Sequence, residues 1–255
     1  MEAFVTTEYK DCISRITFGT PKSNALPIHI LEKLAETILK EGSKEEVKAI
    51  LLQSSGEKAF CAGASFDELL EIEDIETSKR FFGGFAKVLD AMRTCGKIVV
   101  VRVQGKTTGG GVGIACAADY CFATEVSSLA LTEINIGIGP FVIGPYVQRK
   151  IGVSAFTAMA LDAEFRSAEW AKQHDVYQYV GKDIFDMDEK LEQFISHLSQ
   201  KSYDALSLLK KVSWEGTHHF EELMPERIMM SASLVLRDEA KNNIQKVKQL
   251  LKNKH

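Results

Sequence analysis

A single glutamate, Glu133, lies in the mainly apolar stretch LTEINIGIGP, which runs from residue 131 to residue 140. A carboxyl group that is partly shielded from water has a raised pKa, and a carboxyl with a pKa near neutrality can both accept and return a proton. The alternative is a solvated loop residue, which is the usual situation of a glutamate. The apolar neighbours favour proton transfer, so Glu133 is the candidate acid/base group.

Two runs of small residues precede this glutamate: AFCAGAS at 59–65 and TTGGGVGIACAAD at 107–119. Small residues in a loop either permit close packing or let a ligand reach backbone N–H groups. A phosphate-binding loop is a third possibility, but no Lys-Ser or Lys-Thr pair follows the glycines, and the spacing does not satisfy GxGxxG with an acidic residue after the next strand. Taken singly, each run is equally compatible with packing and with function.

The elements around these runs predict an α/β domain followed by helices. Residues 4–9 and 13–18 predict a hairpin, and Asn24 is the predicted N-cap of a helix with Pro27 in its first turn. The other predicted elements are strands at 47–53, 98–103 and 120–124 and helices at 75–93, 111–118, 168–174, 187–198, 203–214, 221–236 and 239–252. Strand and helix alternate through the first half, which is typical of α/β proteins.

Composition excludes several classes of protein. Hydrophobic residues at 45% and charged residues at 26% are ordinary for a globular chain of 255 residues, and a net charge of −4 argues against nucleic acid as the main partner. No apolar run approaches the ~20 residues that span a bilayer, and the first residues predict no signal peptide. Five scattered cysteines without CxxC spacing predict free thiols in the cytoplasm.

Together and in this order, the three motifs closely resemble the crotonase (enoyl-CoA hydratase/isomerase) superfamily, from Asn24-Ala25-Leu26 to the lysine-rich C-terminus. The resemblance implies an α/β spiral of β-β-α turns at 1–195 and a helical region at 196–255 that builds a homotrimer or a hexamer. It also implies an acyl-CoA substrate, with coenzyme A as part of the substrate and no separate cofactor.

The resemblance implies roles for particular residues. The amides of Ala64 and Gly110 are the expected oxyanion donors, because backbone N–H groups stabilise the charge that develops on a thioester oxygen. Lys58, Ala62 and Lys252 are the expected coenzyme A contacts, with Lys252 and Lys254 reaching a neighbouring subunit's ligand. Cys61 as a nucleophile is the alternative within the first loop, although no base adjoins it in sequence.

The residue at position 113 bears on which reaction of the superfamily is predicted. Hydratases of the superfamily typically carry two glutamates; one matches Glu133, but the other position is Gly113 here. Isomerases of the family work with one glutamate, whereas a methylglutaconyl-CoA hydratase-like branch resembles this chain in GGGVG and in GIGPFVIGPYVQRKIG. We predict an enoyl-CoA hydratase of that second type, with an isomerase and a non-catalytic acyl-CoA-binding protein as alternatives.

Two further pairs of polar residues are candidate ligand sites. His218 and His219 have no visible third ligand, so no metal site is predicted. Arg149 and Lys150 either pair with a substrate carboxylate or cap the preceding segment.

Overall fold

Ten strands form two sheets in the computed structural model, which describes residues 2–252 and the side chains through residue 250. The strands are β1 Phe4–Lys10, β2 Ile13–Gly19, β3 Ala49–Ser54, β4 Ala59–Cys61, β5 Ile98–Val103, β6 Lys106–Thr108, β7 Tyr120–Thr124, β8 Ser128–Ala130, β9 Arg166–Ser167 and β10 Tyr179–Gly181. The first sheet has the order β1-β2-β3-β5-β7-β10, and the second has the order β4-β6-β8-β9.

Helices occupy most of the remaining chain. They are α1 Ile28–Gly42, α2 Phe66–Glu71, α3 Ile75–Thr94, α4 Gly110–Ala117, α5 Gly144–Asp162, α6 Ala168–Gln173, α7 Ile184–Ser199, α8 Tyr203–Ser213, α9 His219–Val235 and α10 Asp238–Lys252, with a 3₁₀ helix at Glu133–Ile136. No described helix is both long enough and apolar enough to cross a bilayer.

From β3 to β8, successive strands alternate between the two sheets, and this alternation makes the predicted spiral of β-β-α turns. The pairs β3/β4, β5/β6 and β7/β8 each place one strand in either sheet, and helical segments follow each pair. Strands β3 and β5 are parallel neighbours, and all but one residue of each is buried. Their continuous apolar runs, AILLQS and IVVVRV, are typical of strands covered on both faces.

The predicted hairpin is confirmed, because β1 and β2 pair antiparallel. The predicted N-cap at Asn24 is wrong. Helix α1 starts at Ile28 after Pro27, and the Ile28 N–H donates to Glu68 Oε2 at 2.7 Å. Asn24 instead has a φ of 58° and directs its side chain to other loops.

Helix α5 was not among the predicted helices, which pass from 111–118 directly to 168–174. The helix starts at Gly144, and Gly152 interrupts it with a φ of 79° and a ψ of 159°. This residue divides the helix into two shorter parts, so the sequence carries no single helical period across it.

The C-terminal helix α10 folds back over the elements that carry the motifs. It packs against the 3₁₀ helix and against α2. Ala240 and Ile244 on α10 are fully buried, and the Cα of Gly137 lies against Ala240. At the other end of α10, Lys248 Nζ lies 2.6 Å from Asp67 Oδ1.

Candidate active site

The three motifs meet because each follows a strand of the second sheet. The loop with Ala64 follows β4, the glycine run follows β6, and Glu133 follows β8. Strands β4, β6 and β8 are parallel neighbours in that order. The carboxyl ends of neighbouring parallel strands lie at one edge of a sheet, so the topology brings these three segments together.

Two backbone amides, those of Ala64 and Gly110, belong to the segments that meet at this edge. A Cβ built on Gly63 would lie 3.0 Å from the Thr108 carbonyl oxygen and 3.5 Å from the Gly110 nitrogen, so the two loops touch. Among the described residues, neither the Ala64 N–H nor the Gly110 N–H finds a hydrogen-bond acceptor. Gly110 is the first residue of α4, whose N-terminal end carries a partial positive charge. This pair of amides is suited to hold a negatively charged oxygen.

Glycine is required at two positions of this edge by different constraints. Gly109 has a φ of 52° and a ψ of −120°, a conformation that other residues rarely adopt. A Cβ on Gly110 would lie 2.1 Å from Cε1 of Phe85, so any side chain there overlaps the ring. Phe85 belongs to α3, and its contact with the glycine run could not be read from the sequence.

The carboxyl group of Glu133 adjoins the same glycines. Its Oε1 would lie 3.1 Å from a Cβ built on Gly109. The residue as a whole is half-buried, but its Oε2 is inaccessible to water and has no hydrogen-bond partner among the described residues. Burial raises the pKa of Glu133 to about 7, with a small opposing effect of its own backbone N–H. A proton therefore moves on and off this group near neutral pH.

Gly113 lies in an apolar environment. A Cβ built there would be 2.7 Å from Cγ2 of Ile143 and 3.3 Å from Cδ1 of Leu89. A glutamate side chain at 113 would overlap both residues, so the place of a second carboxylate is filled by hydrocarbon. Ile143 lies 30 positions further along the chain, so this packing could not be predicted from local patterns.

The Cys61 thiol is fully buried, and burial raises its pKa to about 12. Its Sγ accepts a hydrogen bond from the Gly63 N–H at 3.4 Å. A thiol with this pKa is protonated at neutral pH, which argues against Cys61 as a nucleophile.

The structure describes the side chains of two of the three predicted coenzyme A contacts. Lys58 is exposed and directly precedes β4, while the Ala62 N–H donates to the Ser23 carbonyl at 3.1 Å. The Ala62 carbonyl accepts no hydrogen bond from the described part of the chain, so it is available to a ligand. The side chain of Lys252, like all of Lys254, lies outside the described residues.

The remaining candidate polar residues have structural partners. Lys150 Nζ donates to the Ala118 carbonyl at 2.9 Å, directly after the C-terminal end of α4. The Arg149 guanidinium lies 4.2 Å from the ring centre of Trp214 and donates to the Ser213 carbonyl. Within the described chain no three potential metal ligands cluster, and this includes His218 and His219.

The raised pKa of Glu133 predicts a pH-dependent cost in stability. Between its ordinary value of 4.5 and about 7 the folded protein holds a proton that the unfolded chain releases, so stability falls as pH rises through this window. Glutamine at position 133 does not titrate. We therefore expect the difference in unfolding free energy between Glu133→Gln and wild type to shift by about 1–3 kcal/mol in favour of the variant when the pH is raised from ~4.5 to ~8. Urea unfolding at both pH values measures this gain.

Glu36→Gln is the matched control, because Glu36 is exposed on α1. An equal effect of Glu133→Gln on stability at the two pH values would show that the Glu133 carboxyl is not held in a desolvated site.

Comparison with known proteins places this chain in a family. The model of the enoyl-CoA hydratase/isomerase family matches residues 8–250. A trans-2-decenoyl-[acyl-carrier-protein] isomerase of Streptococcus mutans is 25% identical over 224 residues, which are 83% of this chain and 83% of that protein. The human mitochondrial 3-hydroxyisobutyryl-CoA hydrolase is 32% identical over 155 residues, which are 58% of this chain but only 40% of that protein. The crystal structure of an enoyl-CoA hydratase from Bacillus halodurans superposes with a TM-score of 0.88 at 19% identity, covering 94% of this chain and 98% of that one.

Proposed function

This chain is an enzyme of the enoyl-CoA hydratase/isomerase family, and from that premise we propose that it shifts a carbon–carbon double bond of an acyl thioester by proton transfer through one glutamate. The observation that carries the proposal is the apolar packing of Gly113 against Ile143 and Leu89. A hydratase has to hold and activate a water molecule, for which a second carboxylate is suited. An isomerase moves one proton between two carbons and needs no water.

The reaction uses the three groups at the sheet edge. The Glu133 carboxylate removes the proton between the thioester carbonyl and the double bond of a 3-enoyl substrate. The electron pair moves onto the carbonyl oxygen, where the N–H groups of Ala64 and Gly110 stabilise the dienolate. Glu133 then returns the same proton at the γ-carbon, which gives the conjugated 2-enoyl thioester. A pKa of about 7 suits a group that is base in the first step and acid in the second.

Lys58, Ala62 and Lys252 are the proposed contacts of the thioester's carrier. The free Ala62 carbonyl is an acceptor for an amino group such as that of adenine, and Lys58 is an exposed cation at the other end of β4. The relative from Streptococcus mutans bears an acyl-carrier-protein substrate in its name. Both carriers therefore belong in a substrate test.

Hydration of a 2-enoyl-CoA, with 3-methylglutaconyl-CoA as one substrate, is the second candidate. It is favoured by the stretch from Gly137 to Gly152, GIGPFVIGPYVQRKIG, which resembles that hydratase branch. Glu133 would then protonate the α-carbon while water attacks the β-carbon. In this reaction too the oxyanion amides hold the enolate.

A substrate panel separates the two candidate reactions by whether the absorbance of a conjugated thioester rises or falls. Conversion of a 3-enoyl-CoA creates the absorbance of a conjugated thioester, whereas hydration of crotonyl-CoA or 3-methylglutaconyl-CoA removes it. Release of free thiol reports hydrolysis, the activity in the name of the human relative. We expect the 3-enoyl substrate to give the highest kcat/KM. Binding of thioesters without turnover of any of them would contradict enzymatic function at this site.

The exposed apolar side chains of α8 support a trimer or hexamer. Leu208, Leu209 and Val212 on this helix are each more than half exposed, and we propose that other copies of the chain cover them. Light scattering at micromolar concentration should give a mass at least three times 28.3 kDa. A mass near that of one chain would exclude this assembly.

A further inference from the structure

Two buried side-chain amides converge on one backbone carbonyl just before the first oxyanion loop. Asn24 Nδ2 and Gln104 Nε2 each lie 3.0 Å from the Ala59 carbonyl oxygen. Asn24 is 4% exposed and Gln104 is not exposed at all. A carbonyl that is removed from water and held by two donors has little freedom to move.

The same two amides also hold the other end of the loop that enters β4. Asn24 Nδ2 donates to the Ser55 carbonyl at 2.8 Å, and Gln104 Nε2 reaches the Gly56 carbonyl at 3.0 Å. Residues 55–59 are therefore tied at both ends, although residues 56–58 themselves are exposed. These hydrogen bonds fix the position at which β4 begins and, through β4, the position of Ala64.

Main-chain bonds continue this arrangement up to Ala64. The Ser23 carbonyl accepts from the Ala62 N–H, and the Leu26 N–H donates to the Gly63 carbonyl at 2.8 Å. The Ser65 N–H donates to the Leu26 carbonyl at 3.2 Å. Both neighbours of Ala64 are bonded to Leu26, while the Ala64 N–H is left free.

The backbone at Ser23 and Asn24 is strained to make these contacts. Both residues have positive φ, 53° and 58°, in the left-handed region. Asparagine tolerates this conformation, whereas serine adopts it only at a cost in free energy. These two residues turn the chain so that the Ser23 carbonyl and the Asn24 side chain both meet the segment from Ser55 to Ala62.

We infer that Asn24 and Gln104 are positioning residues for the Ala64 amide, because their side chains converge on the Ala59 carbonyl and fix the strand that leads to this amide. The inference deepens the proposed function and rests on its assignment of Ala64 as an oxyanion donor. Neither residue touches the substrate. They act by keeping the Ala64 N–H aimed at the oxygen that becomes charged.

The test uses Asn24→Ala, Gln104→Ala and the double variant. Each single variant leaves the Ala59 carbonyl with one donor. The single variants therefore still test the inference if the double variant does not fold. We expect kcat to fall ~10-fold in each single variant and ~100-fold in the double, with KM changed by less than about threefold, because the donor acts mainly in the transition state. Gln53→Ala is the control, since among the described residues the Gln53 side chain bonds only Thr17 Oγ1 on the first sheet, at 3.1 Å.

A spectroscopic measurement distinguishes positioning from general support of the fold. The infrared carbonyl stretch of crotonyl-CoA, isotopically labelled at the thioester carbon, should fall on binding to the wild type and return towards its solution value in the variants. Glu133→Gln should keep the full shift, because both amides remain.

The outcomes separate the two proposals. If the wild type converts no enoyl thioester, the proposed function fails, but the carbonyl shift still tests the positioning of Ala64. If folded Asn24→Ala and Gln104→Ala keep the wild-type shift and kcat, or if the wild type shows no shift at all, the positioning inference is wrong.

Discussion

Glu133→Gln is expected to lower turnover by ~10²–10⁴-fold, the typical contribution of a positioned acid/base group. Glutamine keeps the shape of the side chain in the narrow space beside Gly109 but cannot accept a proton. Because Gly113 packs against Ile143 and Leu89, position 113 supplies no second carboxylate that could take over the proton transfer. Binding of the thioester should change little, so the loss should appear in kcat.

Exchange of the α-protons of a saturated acyl-CoA with deuterated water isolates the proton-transfer step. We expect Glu133→Gln to lose this exchange together with its turnover. Glu36→Gln should keep both. Exchange as fast as that of the wild type in Glu133→Gln would mean that another group is the base. This experiment does not depend on whether the natural reaction is isomerisation or hydration.

Removal of the Gly110 N–H should have an effect of similar size. Gly110→Pro is expected to reduce kcat by at least ~100-fold, because losing one oxyanion donor usually costs about 2.7–4 kcal/mol of transition-state stabilisation. Proline is compatible with the first position of α4, since the N–H there is not used by the helix. The same substitution also adds a Cβ that overlaps Phe85.

Gly110→Ala separates these two effects, because alanine adds the same Cβ but keeps the N–H. The difference in kcat between Gly110→Ala and Gly110→Pro, each made together with Phe85→Leu to relieve the overlap, reports the donor alone. Circular dichroism confirms that both proteins are folded. Equal kcat values in the two variants would place the second donor elsewhere.

The sequence predicted the motifs and missed the arrangement that joins them. Strands β4, β6 and β8 have only three residues each, too few to show an alternating pattern. The second sheet is therefore invisible in the sequence, although its edge brings the three motifs together. The resemblance to a known superfamily supplied the spiral that local patterns could not.

The misassigned Asn24 shows a different limit. Asparagine before a helix is a typical N-cap, and Pro27 follows at a suitable distance. The side chain has stronger partners in Ser55 and Ala59, which lie more than 30 residues away and are brought close only by the fold. Local signals give the correct residue a wrong role when a distant segment competes for it.

Helix α10 also determines when during synthesis the site can be completed. A ribosome that has released residues up to Arg237 has already produced both proposed oxyanion amides and Glu133. The 3₁₀ helix that carries Glu133 still lacks α10 at that moment, although α10 packs against it in the finished fold. Nascent or prematurely terminated chains thus contain all three motifs while the face of the 3₁₀ helix that α10 covers is open to water.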